Sequence, residues 1–306
     1  MIAIDWGTSA LRGALLDRQG AVVQERSAPL GILHVPPGGF EAAFNDLFGD
    51  WMRPPGQVAL MAGMVGSQQG WQEAPYCPCP ASAQDIAATL SWVQPGCIAI
   101  VPGLSCRQDG LRQVPDIAQI PDVMRGEETQ ILGALAITGE SEATLVLPGT
   151  HSKWASVGGH RIEDFTTYLT GEIYQLLRQH SILARTLVPA TDATPPDEEA
   201  FDWGVMRALE GRGGLLHTAF SVRTLSLFRQ VPPARLPDYL SGLVIGEEVR
   251  AQAPDPATPV LVVGASGLTA RYERALSLAG IPSRVLDGGV TWKGLWQLAR
   301  HLDLTS

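Results

Sequence analysis

The chain has 306 residues, 45% hydrophobic and 17% charged, with 22 Lys plus Arg against 31 Asp plus Glu. That length suits two domains, and a net charge of −9 without a Lys/Arg cluster argues against nucleic acid or anionic membrane as partners. The longest apolar runs, such as Val260 to Val263, are too short to cross a bilayer, and four cysteines (Cys77, Cys79, Cys97, Cys106) are too few for a disulfide framework, so free thiols in a reducing cytoplasm are expected.

The N-terminus opens on Ile2-Ala3-Ile4 with no basic region or cleavage site, so no signal peptide is expected. Ile2 to Ile4 and Leu11 to Leu16 read as strands around the turn Asp5-Trp6-Gly7-Thr8-Ser9. A second turn at Asp17 to Gly20 leads to a third strand from Ala21. This β-meander opening, without G-x-G-x-x-G, disfavours a dinucleotide-binding dehydrogenase. Phe40, Phe44, Leu47, Phe48 and Trp51 recur at helical spacing over 39–52. Strands are predicted at 57–64 and 98–101, and a helix at 127–138. A strand at 144–147 is followed by a helix over 169–187, and 189–197 reads as a loop. A helix over 198–209, a buried strand over 260–263 with a helix to about 278, and a last helix over 295–302 complete the pattern.

Three segments carry phosphate chemistry. In Asp5-x-Gly7-Thr8-Ser9-x-x-Arg12, Gly7 allows a tight turn, and backbone N–H groups with the Thr8 and Ser9 hydroxyls suit phosphate oxygens. Asp5 suits a hydrated Mg2+, and Arg12 a phosphate or carboxylate. A plain hairpin with polar turn residues would share this composition. Leu145 to Trp154 repeats the plan, with Gly149, Thr150, Ser152 and Lys153 as candidates; so would a second ordinary hairpin. Gly264-Ala265-Ser266 follows a buried strand and opens a helix, an arrangement that lets a base or anion approach the backbone. A strand-turn-helix without ligand is the common alternative.

The three segments, in this order with a linking helix at 126–138, resemble the actin/hexokinase-like ATPase superfamily over nearly the whole chain. Within it, Ile4 to Ser9, Met61 to Ser67, Arg125 to Gln130, Leu147 to Trp154 and Phe165 to Glu172 resemble the 2-keto-3-deoxygalactonate kinases, with Pro-Gly-Thr-His-Ser-Lys-Trp the most distinctive string. The resemblance implies an α/β fold of two ribonuclease-H-like domains, each a mixed sheet flanked by helices, with a nucleotide cleft between them. It also implies transfer of the ATP γ-phosphate to the 6-hydroxyl of 2-keto-3-deoxygalactonate in galactonate breakdown. The domains are expected at 1–143 and 144–306, the last helix returning to the hinge.

Related carbohydrate kinases place an acidic residue after a glycine at the start of the linking helix. Gly126-Glu127 holds that place, so Glu127 is the expected base and Asp5 its catalytic companion; most glycerol- and xylulose-kinase relatives have Asp there. Glu128 is the rival, and two acids stabilising a helix N-terminus are the plain alternative. Arg12, Arg107 and Arg125 are candidates for the sugar-acid carboxylate, and Ser67, Gln68 and Glu128 for its hydroxyls. His151 lacks a visible partner and is a poor base, and Trp6, Trp71, Trp154 and Trp292 read as packing. ATP, Mg2+ and a small sugar acid are the expected ligands, and a homodimer is compatible with the sequence. A kinase for another sugar acid, or an actin-like ATPase switch or filament protein, are the competing readings.

Overall fold

A computed structural model describes residues 1–109, 119–187, 195–286 and 289–302. The chain divides into two compact units, Met1–Glu142 with Ala155–Thr166 and Gly288–Ser306, and Ala143–Trp154 with Thr167–Asp287.

In the first unit the elements run β1 (Ile2–Trp6), β2 (Leu11–Leu16), β3 (Val22–Ala28), α1 (Phe40–Phe48), β4 (Ala59–Ala62), β5 (Tyr76–Pro78), α2 (Ala83–Ala88), β6 (Ser91–Gln94), β7 (Ile98–Ile100), β8 (Gly103–Asp109), β9 (Gln119–Met124) and α3 (Glu127–Thr138). The main sheet has the order β3-β2-β1-β4-β7-β6. The opening meander is antiparallel, and β1, β4 and β7 are parallel, with Asp5 opposite Ala62. The residues after β1 and β4 therefore emerge together at the carboxyl ends of neighbouring strands, where open α/β sheets bind ligands. Phe40, Phe44 and Phe48 form one buried stripe of α1. They meet Trp6 and Trp71 with ring centroids 5.4 Å (Phe40–Trp6) and 5.7 Å (Phe44–Trp71) apart. Burial of each such side chain contributes about 1.5–3 kcal/mol. A small sheet, β5-β8-β9, is separate from the main one, and Cys77, Leu104, Cys106 and Met124 are buried in it.

The remaining elements are β10 (Ala143–Leu147), β11 (Ser152–Gly158), β12 (Arg161–Tyr168), α4 (Thr170–His180), α5 (Glu198–Leu209), α6 (Gly214–Thr218), α7 (Ser221–Leu227), α8 (Leu236–Gln252), β13 (Val260–Val263), α9 (Ser266–Leu278), β14 (Ser283–Leu286) and α10 (Val290–His301). The second sheet, β12-β11-β10-β13-β14, repeats the strand order of the first up to its fifth strand. Two helix pairs approach backbone to backbone at glycines. A Cβ on Gly204 would lie 2.1 Å from Tyr239 O, joining α5 to α8, and one on Gly133 would lie 1.7 Å from Val290 O, joining α3 to α10.

The second unit is not the unbroken 144–306 expected from the sequence. Residues 155–166 and 288–306 group with the first: Ile162 bridges to Ala81, and α10 buries Leu295 and Leu298 and seats Gly294 against Thr129 of α3. The last helix also starts five residues earlier than its apolar spacing indicates, at Val290. The 169–187 helix stops at His180; a 3-10 turn over Ile182–Arg185 follows, with Ser181 Oγ accepting from Leu183 N–H. Of the loop expected at 189–197, residues 189–194 lie outside the described residues. Asp197 at its end caps α5 by accepting from Ala200 N–H. No described helix is long and apolar enough to cross a membrane.

Candidate active site

Each unit carries a candidate site of its own, built where its parallel strands end. In the first, β1 delivers Asp5, partly buried and ion-paired with the exposed Arg12 on β2. Gly7 N–H donates to Ala10 O at 3.0 Å and closes the turn that holds Thr8 and Ser9 exposed. Gly63, after β4, has φ +92, and a Cβ there would sit 3.3 Å from Asp5 Oδ1. Gly126 has φ +108, and its Cβ would sit 3.2 Å from Gly63 Cα. Only glycine adopts these angles freely, so Gly63 and Gly126 bring the start of α3 against the end of β1.

The first turn of α3 is held by its own side chains. Arg125 N–H donates to Glu127 Oε2 (3.0 Å), Gly126 N–H to Glu128 Oε2 (2.7 Å), and Thr129 Oγ1 to Gly126 O (2.7 Å). Glu127 is half-buried, whereas Glu128 is fully buried. Burial, then the neighbouring Glu127 charge, pushes the Glu128 carboxyl up to about 8, against the opposing backbone N–H bonds and Arg125. The two rivals are thereby separated: Glu127 is accessible, and Glu128 is an internal acid that grips the turn.

Arg125 is not an exposed arm. Its guanidinium stacks on Tyr76 at 4.4 Å, donates from Nη2 to Ala74 O (2.8 Å), and fills the space beside Gly66, where a Cβ would come within 2.9 Å of Nη1. Arg107 lies on β8 and donates to Gln119 Oε1 (3.1 Å). Ser67 Oγ caps its own turn on Met64 O (2.7 Å), and Gln68 is exposed. Asp5, Gly63 and Gly126–Glu128 thus converge, with Arg12 at their edge. Arg125 supports the Met64–Ser67 turn from beneath.

In the second unit, β10 and β13 are parallel, Val146 opposite Val262, so the Pro148–His151 turn and Gly264 leave the sheet side by side. A Cβ on Gly264 would lie 3.6 Å from Pro148 O. Gly149 and Thr150 open a cavity of about 420 Å³, walled by Val244 and Ile245 of α8 and by Leu268, Arg271 and Tyr272 of α9. Thr170 and Gly171 at the start of α4 form its third side. A Cβ on Gly171 would lie 2.5 Å from Gly149 O, so this glycine sets how closely α4 meets the loop. An apolar wall beside two loops rich in backbone N–H fits a nucleoside with its phosphates.

Ser152 and Lys153, expected at the phosphates, are both buried on β11. Ser152 Oγ donates to Glu248 Oε2 (2.8 Å), which also accepts from Tyr272 OH (2.8 Å) and Thr170 Oγ1, while Trp154 Nε1 donates to Glu248 Oε1 (2.6 Å). Burial raises the Glu248 carboxyl and these four bonds oppose it. Ser152 is therefore redirected: alternation along β11 turns it inward, and it ties the phosphate turn to α8 instead of meeting a ligand. His151 does have a partner, Glu172 Oε2, at 2.5 Å.

Sequence reasoning missed Thr170, Gly171, Glu248, Arg271 and Tyr272. The Thr-Gly-Glu string after β12 signalled the first two. Glu248 sits in Gly246-Glu247-Glu248 on α8, where local sequence does not distinguish the buried acid from its neighbour. Trp154 and Trp292 donate to Glu248 and Glu25, and Trp6 is fully buried, so these indoles pack. Burial pushes the Cys79 and Cys106 thiols up to about 12, which leaves them unreactive. No group of three or more His, Cys, Asp or Glu among the described residues is arranged to hold a metal ion. Mg2+ in a phosphoryl-transfer site needs only one or two carboxylates beside the substrate phosphates. Asp5, at the mouth of the first turn, fits that requirement.

Comparison with known proteins gives a consistent result. A profile of the family described as 2-keto-3-deoxy-galactonokinase matches residues 5–298. The 2-dehydro-3-deoxygalactonokinase of Escherichia coli (strain K12) is 34% identical over 294 residues, covering 95% of this chain and 94% of that protein. A crystal structure of a Sinorhizobium meliloti protein assigned as a 2-dehydro-3-deoxygalactonokinase has 33% identity and a TM-score of 0.86, over 98% of each chain. The activator of 2-hydroxyisocaproyl-CoA dehydratase from Clostridium difficile, with bound ADPNP, shares the fold at 12% identity and a TM-score of 0.50, covering 99% of this chain and 96% of that one.

Proposed function

The chain belongs to the 2-keto-3-deoxy-galactonokinase family, and from that premise we propose that it transfers the γ-phosphoryl group of ATP to the 6-hydroxyl of 2-keto-3-deoxygalactonate, in the cytoplasm, as a step of galactonate breakdown. The observation that carries the reading is the α3 start: Gly126 packs against Gly63, Gly63 lies against Asp5, and the half-buried Glu127 follows Gly126.

Glu127 takes the proton as the acceptor oxygen bonds to the γ-phosphorus and the bond to the β-phosphate oxygen breaks, releasing ADP. Such a base typically contributes about 10²–10⁴-fold. Positioning and charge neutralisation supply most of the rest. Backbone N–H groups of Gly7, Thr8 and Ser9 suit phosphate oxygens within the first unit, and those of Gly149 and Thr150 within the second. Gly264, Ala265 and Ser266, which lead from β13 into α9, are assigned to the same nucleotide. Lys153 adds positive charge behind the second loop. Mg2+ at Asp5, probed by its own titration, would neutralise phosphate charge. Arg12 is the accessible cation for the sugar-acid carboxylate, with Arg107 further along β8; Ser67, Gln68 and the Arg125-supported turn meet its hydroxyls.

The test is ADP release with Mg-ATP in the presence of 2-keto-3-deoxygalactonate, of its gluconate epimer, or of no acceptor. Stimulation by the galactonate derivative alone is expected. Glu127→Gln lowers kcat by at least about 100-fold while leaving nucleotide binding intact. ADP release indifferent to every acceptor, or full activity in Glu127→Gln, would refute the proposal.

A further inference from the structure

The cavity of the second unit leaves a buried hydroxyl unpaired. Among the described residues that line it, the polar side chains of Thr170, Tyr272 and Ser241 are more than nine-tenths buried, Ser241 being 8% exposed. Thr170 Oγ1 and Tyr272 OH both donate to Glu248. Ser241 Oγ has no hydrogen-bond partner among the described residues. Other helical hydroxyls of this chain bond back to their own helix, as Thr129, Thr218 and Thr269 do with the carbonyls of Gly126, Gly214 and Ser266. A hydroxyl withdrawn from water without a partner is costly, and a ligand entering the cavity removes that cost.

The helix sets the depth of this hydroxyl. Glu248 marks the level of the phosphate turn, because it accepts from Ser152, two residues beyond Thr150, and from Thr170 at the start of α4. Ser241 lies seven residues before Glu248 on α8, about 10 Å along the axis at about 1.5 Å per residue. Ser241, Val244 and Ile245 stand at i, i+3 and i+4 and so share the face of α8 that lines the cavity. Val244 and Ile245 fall between the two levels. From behind, α8 is seated on α5: a Cβ on Gly242 would lie 2.0 Å from Phe201 O. The cavity thus has backbone N–H groups at one end, apolar walls along its length, and a hydroxyl on a firmly held helix at the other. A ribose and base extending from the phosphate turn run toward that hydroxyl, and a two-ring purine reaches farther than a one-ring pyrimidine.

On the premise that this cavity takes the nucleotide of the kinase reading, we propose that Ser241 selects purine over pyrimidine nucleotides, its hydroxyl bonding the far polar edge of the base. A hydroxyl both donates and accepts, so it serves an adenine or a guanine edge, and selection is by reach. A pyrimidine stops short and leaves the hydroxyl unpaired, which is the kind of loss a polar site discriminates against.

The experiment is titration calorimetry of the full chain with Mg-ADP and with Mg-CDP, for wild type and Ser241→Ala. Wild type is expected to bind ADP more tightly than CDP. Ser241→Ala is expected to weaken ADP by about 5–10-fold, to leave CDP unchanged, and to raise KM for ATP by a similar factor. Without nucleotide the variant should melt no lower than wild type, because the hydroxyl it loses has no partner in the protein; a lowered midpoint would make Ser241 a group that serves the fold. Equal weakening of ADP and CDP would put the contact on the ribose, and unchanged ADP binding would mean that the hydroxyl meets only water. Each of these three results overturns the proposal and leaves the kinase reading standing. Wild type that binds neither nucleotide would overturn both.

Discussion

Replacing Glu128 with Gln should stabilise the protein in a strongly pH-dependent way. Glu128 is fully buried, and its carboxyl is raised from 4.5 to about 8, first by burial and then by the charge of Glu127. In the unfolded chain the group ionises near its ordinary value. Between 4.5 and about 8 the folded protein therefore holds a proton that the unfolded chain has lost, and stability falls as pH rises through that window. At 1.36 kcal/mol per pH unit the full loss is about 5 kcal/mol. Gln keeps an acceptor for Gly126 N–H and never ionises. Its advantage over Glu should be about 3–4 kcal/mol larger at pH 8 than at pH 5. Urea unfolding of both proteins at the two pH values measures this directly, and background titrations cancel in the difference. An advantage equal at both pH values within about 1 kcal/mol would refute the internal-acid assignment. The same variant should retain most of its kcat, in contrast to Glu127→Gln.

The buried hub at Glu248 should be among the most sensitive positions. Glu248→Ala strands donors from Ser152, Trp154, Thr170 and Tyr272 and should cost about 3–5 kcal/mol in chemical denaturation; a loss below about 1 kcal/mol would contradict the network. Gly294→Ala places a Cβ 1.8 Å from Thr129 O and should destabilise by about 3 kcal/mol or more, read from a thermal melt; an unchanged midpoint would mean that α3 and α10 separate easily. Gly171→Ala, whose Cβ would meet Gly149 O at 2.5 Å, should raise KM for ATP more than KM for the acceptor. Equal effects on both would detach this glycine from the nucleotide cavity.

Much of the fold was legible because its strands and helices satisfy local rules. The Phe40–Phe44–Phe48 stripe, the Val260–Val263 strand and the 198–209 helix declare themselves by period and by flanking turn residues. The α8 helix, 17 residues long, did not, because burial along nearly its whole length removes the polar face that would mark its period. The strands β8 and β9 were missed as well: short strands rich in Gln, Asp and Arg carry little apolar alternation.

For the site, the amino-acid sequence by itself determined where the glycine turns at the strand ends lie and which turn carries the acids. Glycines beside hydroxyl residues at strand ends are a local requirement of backbone geometry, written in Gly7-Thr8-Ser9 and Gly149-Thr150. The tertiary structure alone decided what each neighbouring side chain does. Glu127 and Glu128 are adjacent and chemically alike, and only burial separates the half-buried carboxylate from the internal acid. Arg125 and Ser152 looked like ligand contacts, yet one lies beneath Gly66 and the other faces Glu248. Burial and partners arise from residues distant in the chain, up to 96 positions away for Ser152 and Glu248, and local sequence does not encode them.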